Sequence, residues 1–167
     1  GKVFELIREK MPGAKPCVTI FPDYGSHIAR GDAEARQQLS AASYEDYVRS
    51  FCELVPTAEC LDMDFYPYSA PAETRASYFL RRYRDMAIVA RAARDYGKQI
   101  GFYVQANSVF KELSMDLPKL RYMAYTDLAF GADALKFTCY TPSWWENNIL
   151  TKEGEKTPRS DMVKTLI

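Results

Sequence analysis

The chain has 167 residues, 47% apolar and 26% charged, with 22 basic residues against 22 acidic ones. This is apolar material enough for one packed domain or a large part of one, and zero net charge with scattered Lys and Arg excludes the concentrated basic face that nucleic acid requires. The longest apolar runs fall far short of the roughly 20 residues that span a bilayer, and no signal peptide heads the sequence.

The sequence opens at Gly1 without Met, and Val3-Phe4-Glu5-Leu6-Ile7 reads as the tail of a helix. A first apolar run, Cys17-Val18-Thr19-Ile20, flows into Phe21-Pro22-Asp23-Tyr24 and is predicted to be a strand with a polar, aromatic end. A long connection from Gly25 to Ser43 follows and holds His27, the only histidine. A lone histidine excludes His-rich zinc sites and an internal Ser-His-Asp triad unless residues from elsewhere contribute.

Ser43 with Asp46 forms a capping-box pattern, and Tyr44, Tyr47, Val48, Phe51, Cys52 and Val55 recur on one helical face. The second strand ends in Leu61-Asp62-Met63-Asp64-Phe65-Tyr66-Pro67-Tyr68. Its period of two puts Asp62, Asp64 and Tyr66 on the same side. Unpaired carboxylates are costly to bury, so the deeper Asp62 is read as structural and Asp64, nearer the strand end, as functional. Phe79, Leu80, Tyr83, Met86, Ala87, Ala90 and Ala93 mark a longer helix stopped by Gly97.

The third strand, from Gln99 or Ile100, ends at Gln105 and Asn107. Pro118 suits a first helical turn, Leu120, Met123, Ala124 and Leu128 form its apolar stripe, and Gly131 marks the end. The fourth strand, Ala134-Leu135-Lys136-Phe137-Thr138-Cys139, leads to Tyr140, Trp144, Trp145 and Glu146, and Thr157-Pro158 starts a last helix. Cys17, Cys60 and Cys139 fall in predicted buried strands and Cys52 on a helix stripe. Without CxxC spacing they are read as small buried hydrophobes rather than as disulfides or metal ligands.

Strand alternates with helix throughout, and the strand-to-helix connections are the long ones, as expected when function lives at the C-terminal ends of parallel strands. A (β/α)₈ barrel is the expected architecture. A doubly wound open sheet competes, but no Gly-rich turn follows any strand to cradle a phosphate. Four strands make half a barrel, so residues 1–167 are expected to be a single partial domain, its C-terminal half. Unpaired strand edges predict pairing with the other half of the barrel or with a second copy.

Asp23, Tyr24, Tyr66, Gln105, Asn107, Tyr140, Trp144 and Trp145 together give a mouth rich in aromatics, amides and carboxylates. That chemistry suits a neutral polyhydroxylated ligand, whose C–H faces stack on rings while its hydroxyls are hydrogen-bonded. The plainer alternative is that the two tryptophans plug the barrel end or pack on a neighbouring domain. No metal or organic cofactor is implied. A Schiff-base aldolase, or another lyase, would want a lysine at a strand end, whereas Lys136 sits early in its strand.

Phe21-Pro22-Asp23-Tyr24, Asp64-Phe65-Tyr66-Pro67, Phe102-Tyr103-Val104-Gln105 and Ala129-Phe130-Gly131-Ala132-Asp133-Ala134-Leu135-Lys136-Phe137 carry a resemblance to a known family. The chain resembles the retaining (β/α)₈ glycoside hydrolases of clan A, especially beta-galactosidase-like enzymes and other glycosyl hydrolases of carbohydrate-degrading bacteria. The resemblance implies that these are strands five to eight, that the substrate is an oligo- or polysaccharide, and that the protein is periplasmic or secreted. It also implies an acid/base Glu after strand four, outside this sequence, and a nucleophile at the end of strand seven. Gln105 holds that second position, and a neutral amide cannot form a glycosyl ester. Either the match is shifted, or Asp64 or Glu146 serves as the catalytic carboxylate, or the barrel binds glycans without hydrolysing them.

Overall fold

The computed structural model describes residues 2–23, 41–107, 115–141 and 148–166, so Tyr24, His27, Trp144, Trp145 and Glu146 lie outside the described residues. Along them run α1 (Lys2–Lys10), β1 (Cys17–Ile20), α2 (Tyr44–Leu54), β2 (Cys60–Met63), a 3₁₀ turn (Pro67–Ser69), α3 (Arg75–Asp95), β3 (Gln99–Gln105), α4 (Leu117–Ala129), β4 (Ala134–Thr138) and α5 (Pro158–Leu166). The strands form one parallel sheet in the order β1-β2-β3-β4. Sequential βα crossovers generate this order, because each helix carries the chain back to start the next strand alongside the last.

Local chemistry fixes the helix ends. Ser43 Oγ accepts the Asp46 N–H at 3.1 Å and its own hydroxyl donates to Asp46 Oδ2 at 2.8 Å, closing the N-terminus of α2. Asp116 accepts the Lys119 N–H at 3.0 Å at the start of α4, with Pro118 in the first turn. Gly97 and Gly131 take φ of 62° and 88°, the left-handed conformation open to glycine. Beyond each, paired backbone bonds close the helix: Gly97 N–H to Arg94 O with Lys98 N–H to Ala93 O, and Gly131 N–H to Leu128 O with Ala132 N–H to Asp127 O. These are Schellman closures, which satisfy carbonyls the helix itself leaves unpaired.

The described residues divide into two compact units, one falling within residues 1–65 and 80–101 and the other within residues 66–79 and 102–167. In the first, Ile20, Val48, Leu61, Met63, Phe65, Met86, Val89 and Ala93 are buried. In the second, Tyr68, Val104, Ala106, Met115, Leu120, Met123, Ala124 and Ile149 form the core, with Phe79, Leu135, Phe137, Met162, Val163 and Leu166 packed around it.

Three expectations are corrected. The buried face of α3 is Arg82, Asp85, Met86, Val89, Ala92 and Ala93, while Leu80 stands 69% exposed. In α4, Leu128 is 51% exposed and Asp127 is buried in its place. A pattern drawn through apolar residue types misses charged groups that are buried because partners await them. Cys17 and Cys60, finally, are joined in a disulfide, with Cα atoms 4.8 Å apart, and Cys17 is exposed rather than buried. Parallel register places the two cysteines directly opposite each other at the starts of β1 and β2, a relation that residue spacing does not reveal.

Candidate functional site

In the first unit a polar cluster gathers where β1 and β2 end. Asp23, three residues beyond β1, is buried and held twice by α3. Arg81 grips its carboxylate bidentately, Nε to Oδ2 at 3.1 Å and Nη2 to Oδ1 at 2.9 Å. One helical turn on, Asp85 Oδ2 accepts the Asp23 backbone N–H at 2.8 Å. Residues four apart on a helix lie on the same face, so a single turn of α3 fixes both the backbone and the side chain of Asp23. Tyr47 of α2 holds the chain two residues earlier, its hydroxyl accepting the Phe21 N–H at 3.3 Å.

Tyr44, in the first turn of α2, is buried beside these groups, its ring 6.0 Å from that of Tyr47. Burial first, and then the negative charges of Asp85, Tyr47, Asp23 and Asp64, push its phenol well above the ordinary tyrosine value. Asp64, the residue after β2, is half-buried, and desolvation raises its carboxyl to about 6 against an opposing backbone N–H. Asp85 is raised to about 7, again chiefly by burial and further by the Asp23 charge, while the Asp23 N–H and the charges of Arg81 and Arg84 pull it back. Among the described residues, Tyr44 Oη, Asp64 Oδ1 and Asp85 Oδ1 have no hydrogen-bond partner. The cluster thus offers a phenolic donor and acidic groups that exchange protons near neutrality. Asp85 is 1% exposed and acts through the Asp23 turn, whereas Asp64 retains access to solvent.

In the second unit Gln105 is fully buried and committed. Its Oε1 accepts the Tyr68 N–H at 3.1 Å, and its Nε2 donates to Ser69 Oγ at 2.9 Å and to Asn107 O at 3.2 Å. It acts as a bracket between the end of β3 and the 3₁₀ turn, which accounts for an amide at a buried strand end. Asn107 is 1% exposed, with Nδ2 3.5 Å from Cys139 Sγ and Oδ1 without a partner among the described residues. Tyr66 is half-buried. Tyr140 is exposed and lines a cleft of about 550 Å³ with Phe137, Ile149, Ser160, Val163 and Lys164.

Of the residues singled out in the sequence, Asp23 and Asp64 both lie near Tyr44 in the first unit, and Gln105 and Asn107 come together in the second. Tyr140 stands at the cleft beside α5. Tyr24, Trp144, Trp145 and Glu146 lie outside the described residues. Tyr44, Arg81 and Asp85 were not foreseen as site residues. The strand ends drew attention, whereas Tyr44 lay on the expected apolar stripe of α2, and Arg81 and Asp85 sit on α3, whose buried face differs from the one the apolar pattern marked.

No protein-family model matches the sequence, and no curated protein matches it either. Two solved structures are similar in fold. One is a "putative alpha-L-fucosidase" from Bacteroides thetaiotaomicron VPI-5482, 9% identical, with a TM-score of 0.58 over 98% of this chain and 46% of that one. Another is the catalytic domain of beta-amylase from Paenibacillus polymyxa, 13% identical, with a TM-score of 0.57 over 99% of this chain and 36% of that one. The chain spans less than half the length of either. Both are glycoside hydrolases with TIM-barrel folds, and at these identities what this chain shares with them is the fold: parallel strands alternating with helices.

Proposed function

We propose that the chain is the C-terminal half of a carbohydrate-active (β/α)₈ barrel of the glycoside hydrolase kind, acting on glycosidic bonds of oligo- or polysaccharides. The observation that carries this reading is the cluster at the ends of β1 and β2. There Asp64, half-buried and titrating near 6, lies within electrostatic reach of Tyr44, as Asp23 and Asp85 do. Glycosidic cleavage needs carboxyl groups whose surroundings allow one to hold a proton and another to release it. Asp64 is the carboxyl assigned to the reaction here, with Glu146 a second candidate. Tyr66, Tyr140, Trp144 and Trp145 are assigned to stacking on sugar rings, and Asp23, Tyr24, Gln105 and Asn107 to its hydroxyls or to holding the groups that bind them. The rest of the barrel, or a second copy, supplies the missing strands.

A second reading rests on its own observation. Gln105 stands where the resemblance expects a nucleophile, and its amide is spent on Tyr68, Ser69 and Asn107. This favours a barrel that binds glycans without hydrolysing them.

Calorimetric titration of the full-length protein against galactosides, glucosides and plant or mucosal oligosaccharides, with product analysis on the same samples, separates the readings. Turnover is expected, with a rate that changes through about pH 6 and falls by about 100-fold or more in Asp64→Asn. Glu146→Gln reports on the second carboxyl. Binding without turnover selects the glycan-binding barrel, and absence of any sugar binding overturns both.

A further inference from the structure

Where β1 and β2 begin, Cys17 and Cys60 meet, and Asp62, two residues further along β2, makes a third potential ligand. Cys17 and Cys60 face each other in register, and Asp62, two residues beyond Cys60, lies on the same face of β2. One carboxylate oxygen of Asp62 and the two sulfur atoms all lie within 4.8 Å of one another. Cys60 and Asp62 are buried and Cys17 is exposed, so the group is open on one side only. Lys15 and Glu59, each near one of the cysteines in sequence, line an open recess of about 280 Å³ that gives solvent a route to this end of the strands.

We propose that Cys17, Cys60 and Asp62 form a redox-gated zinc site, empty when the cysteines are bonded to each other and filled when they are reduced. Two thiolates and a carboxylate supply three of the four tetrahedral positions that Zn²⁺ takes, at about 2.3 Å for sulfur and about 2.1 Å for oxygen. Water completes the set from the side of Cys17. Separating the sulfurs from bonding distance to ligand spacing requires side-chain rotation alone, since the strands already hold the two Cα atoms 4.8 Å apart.

Reduction requires an external thiol, present as reduced glutathione or a dithiol protein. Its thiolate attacks Cys17 Sγ, the exposed sulfur. The Sγ–Sγ bond breaks, and its electron pair leaves on Cys60 Sγ as a thiolate. A second reductant thiolate then attacks the mixed disulfide and releases Cys17 as a thiolate, so two reductant thiols become one reductant disulfide. At a pH where the cysteines rest as thiols, each takes up one proton. Zn²⁺ then displaces both protons, and affinity therefore falls as pH is lowered.

The test titrates the chain, reduced with a phosphine in metal-free buffer, with Zn²⁺, and with Co²⁺ for its sulfur-to-metal absorption band. Binding of one metal per chain is expected with that band present, whereas the oxidised chain binds none. Cys17→Ser and Cys60→Ser each weaken binding by about 10-fold or more and lose one sulfur contribution to the band. Asp62→Asn weakens it by about 10-fold with the thiol count unchanged, and Cys139→Ser leaves it intact. Cys17 is exposed, so its variant keeps the fold, which circular dichroism checks. Absence of binding in the reduced chain overturns the proposal, as does equal binding by the oxidised chain or by the Cys17→Ser/Cys60→Ser double variant.

Discussion

Asp85 shows how a helix residue governs a strand end. Its carboxyl is 1% exposed, accepts the Asp23 N–H and is raised to about 7 by burial. The unfolded chain releases this proton near pH 4. Between about 4 and about 7 the folded chain therefore binds more protons than the unfolded one, and stability falls as pH rises through that window. Asp64, raised to about 6, acts with the same sign. Asn at position 85 keeps an acceptor for the Asp23 N–H and carries no charge. In urea denaturation the wild type is expected to lose stability between about pH 4 and about pH 8, and Asp85→Asn to lose less, the difference being on the order of a few kcal/mol. A wild-type midpoint that does not move across this range would contradict the burial argument. None of this was legible in the sequence. Asp85 lies mid-helix among Arg and Ala, and its meaning comes from Asp23, 62 positions away in the chain.

The elements, in contrast, carry their own punctuation. Ser43 and Asp116 cap α2 and α4 through their side chains. Ser43→Ala and Asp116→Ala are each expected to cost about 1 kcal/mol, read as a lowered urea midpoint. At Gly97 and Gly131 an added methyl group would meet nothing within 4 Å, so the penalty there is purely conformational. Alanine at either position is expected to cost about 1 kcal/mol through the positive φ alone. A neutral result at both would mean that the helix ends relax to another closure. Boundaries of this kind are readable because a cap or a left-handed turn involves residues a few positions apart, whereas the buried face of α3 depends on what the distant β1 end presents.

At the scale of the whole molecule, the strands are unequally covered. Every residue of β2 is buried, while β1 and β4 each bury only their last residue fully. Helix α1 buries no residue and leaves Val3 and Leu6 70% and 54% exposed. Outer strands left half-covered and an amphipathic helix with an open apolar face are sites for further packing. Sedimentation of this segment by itself is expected to show concentration-dependent association, reduced by Leu6→Glu. A compact monomer at all concentrations would count against the half-barrel proposal.

The sequence by itself determined the succession of strands and helices and the helix ends, and it singled out Asp64 as a candidate. Each of these follows from local periodicity, capping chemistry or the cost of a carboxylate at a strand end. It also pointed to an aromatic and amide-rich set of strand ends, from residue types alone. Only the tertiary structure decided that Arg81 and Asp85 hold Asp23, that Tyr44 lies among the carboxylates, that Gln105 is a bracket, and that Cys17 meets Cys60. The bonds from α3 to Asp23, from Gln105 to the 3₁₀ turn and between the two cysteines join residues 36 to 62 positions apart, and strand register with helix rotation, which set them, leave no local trace in the chain.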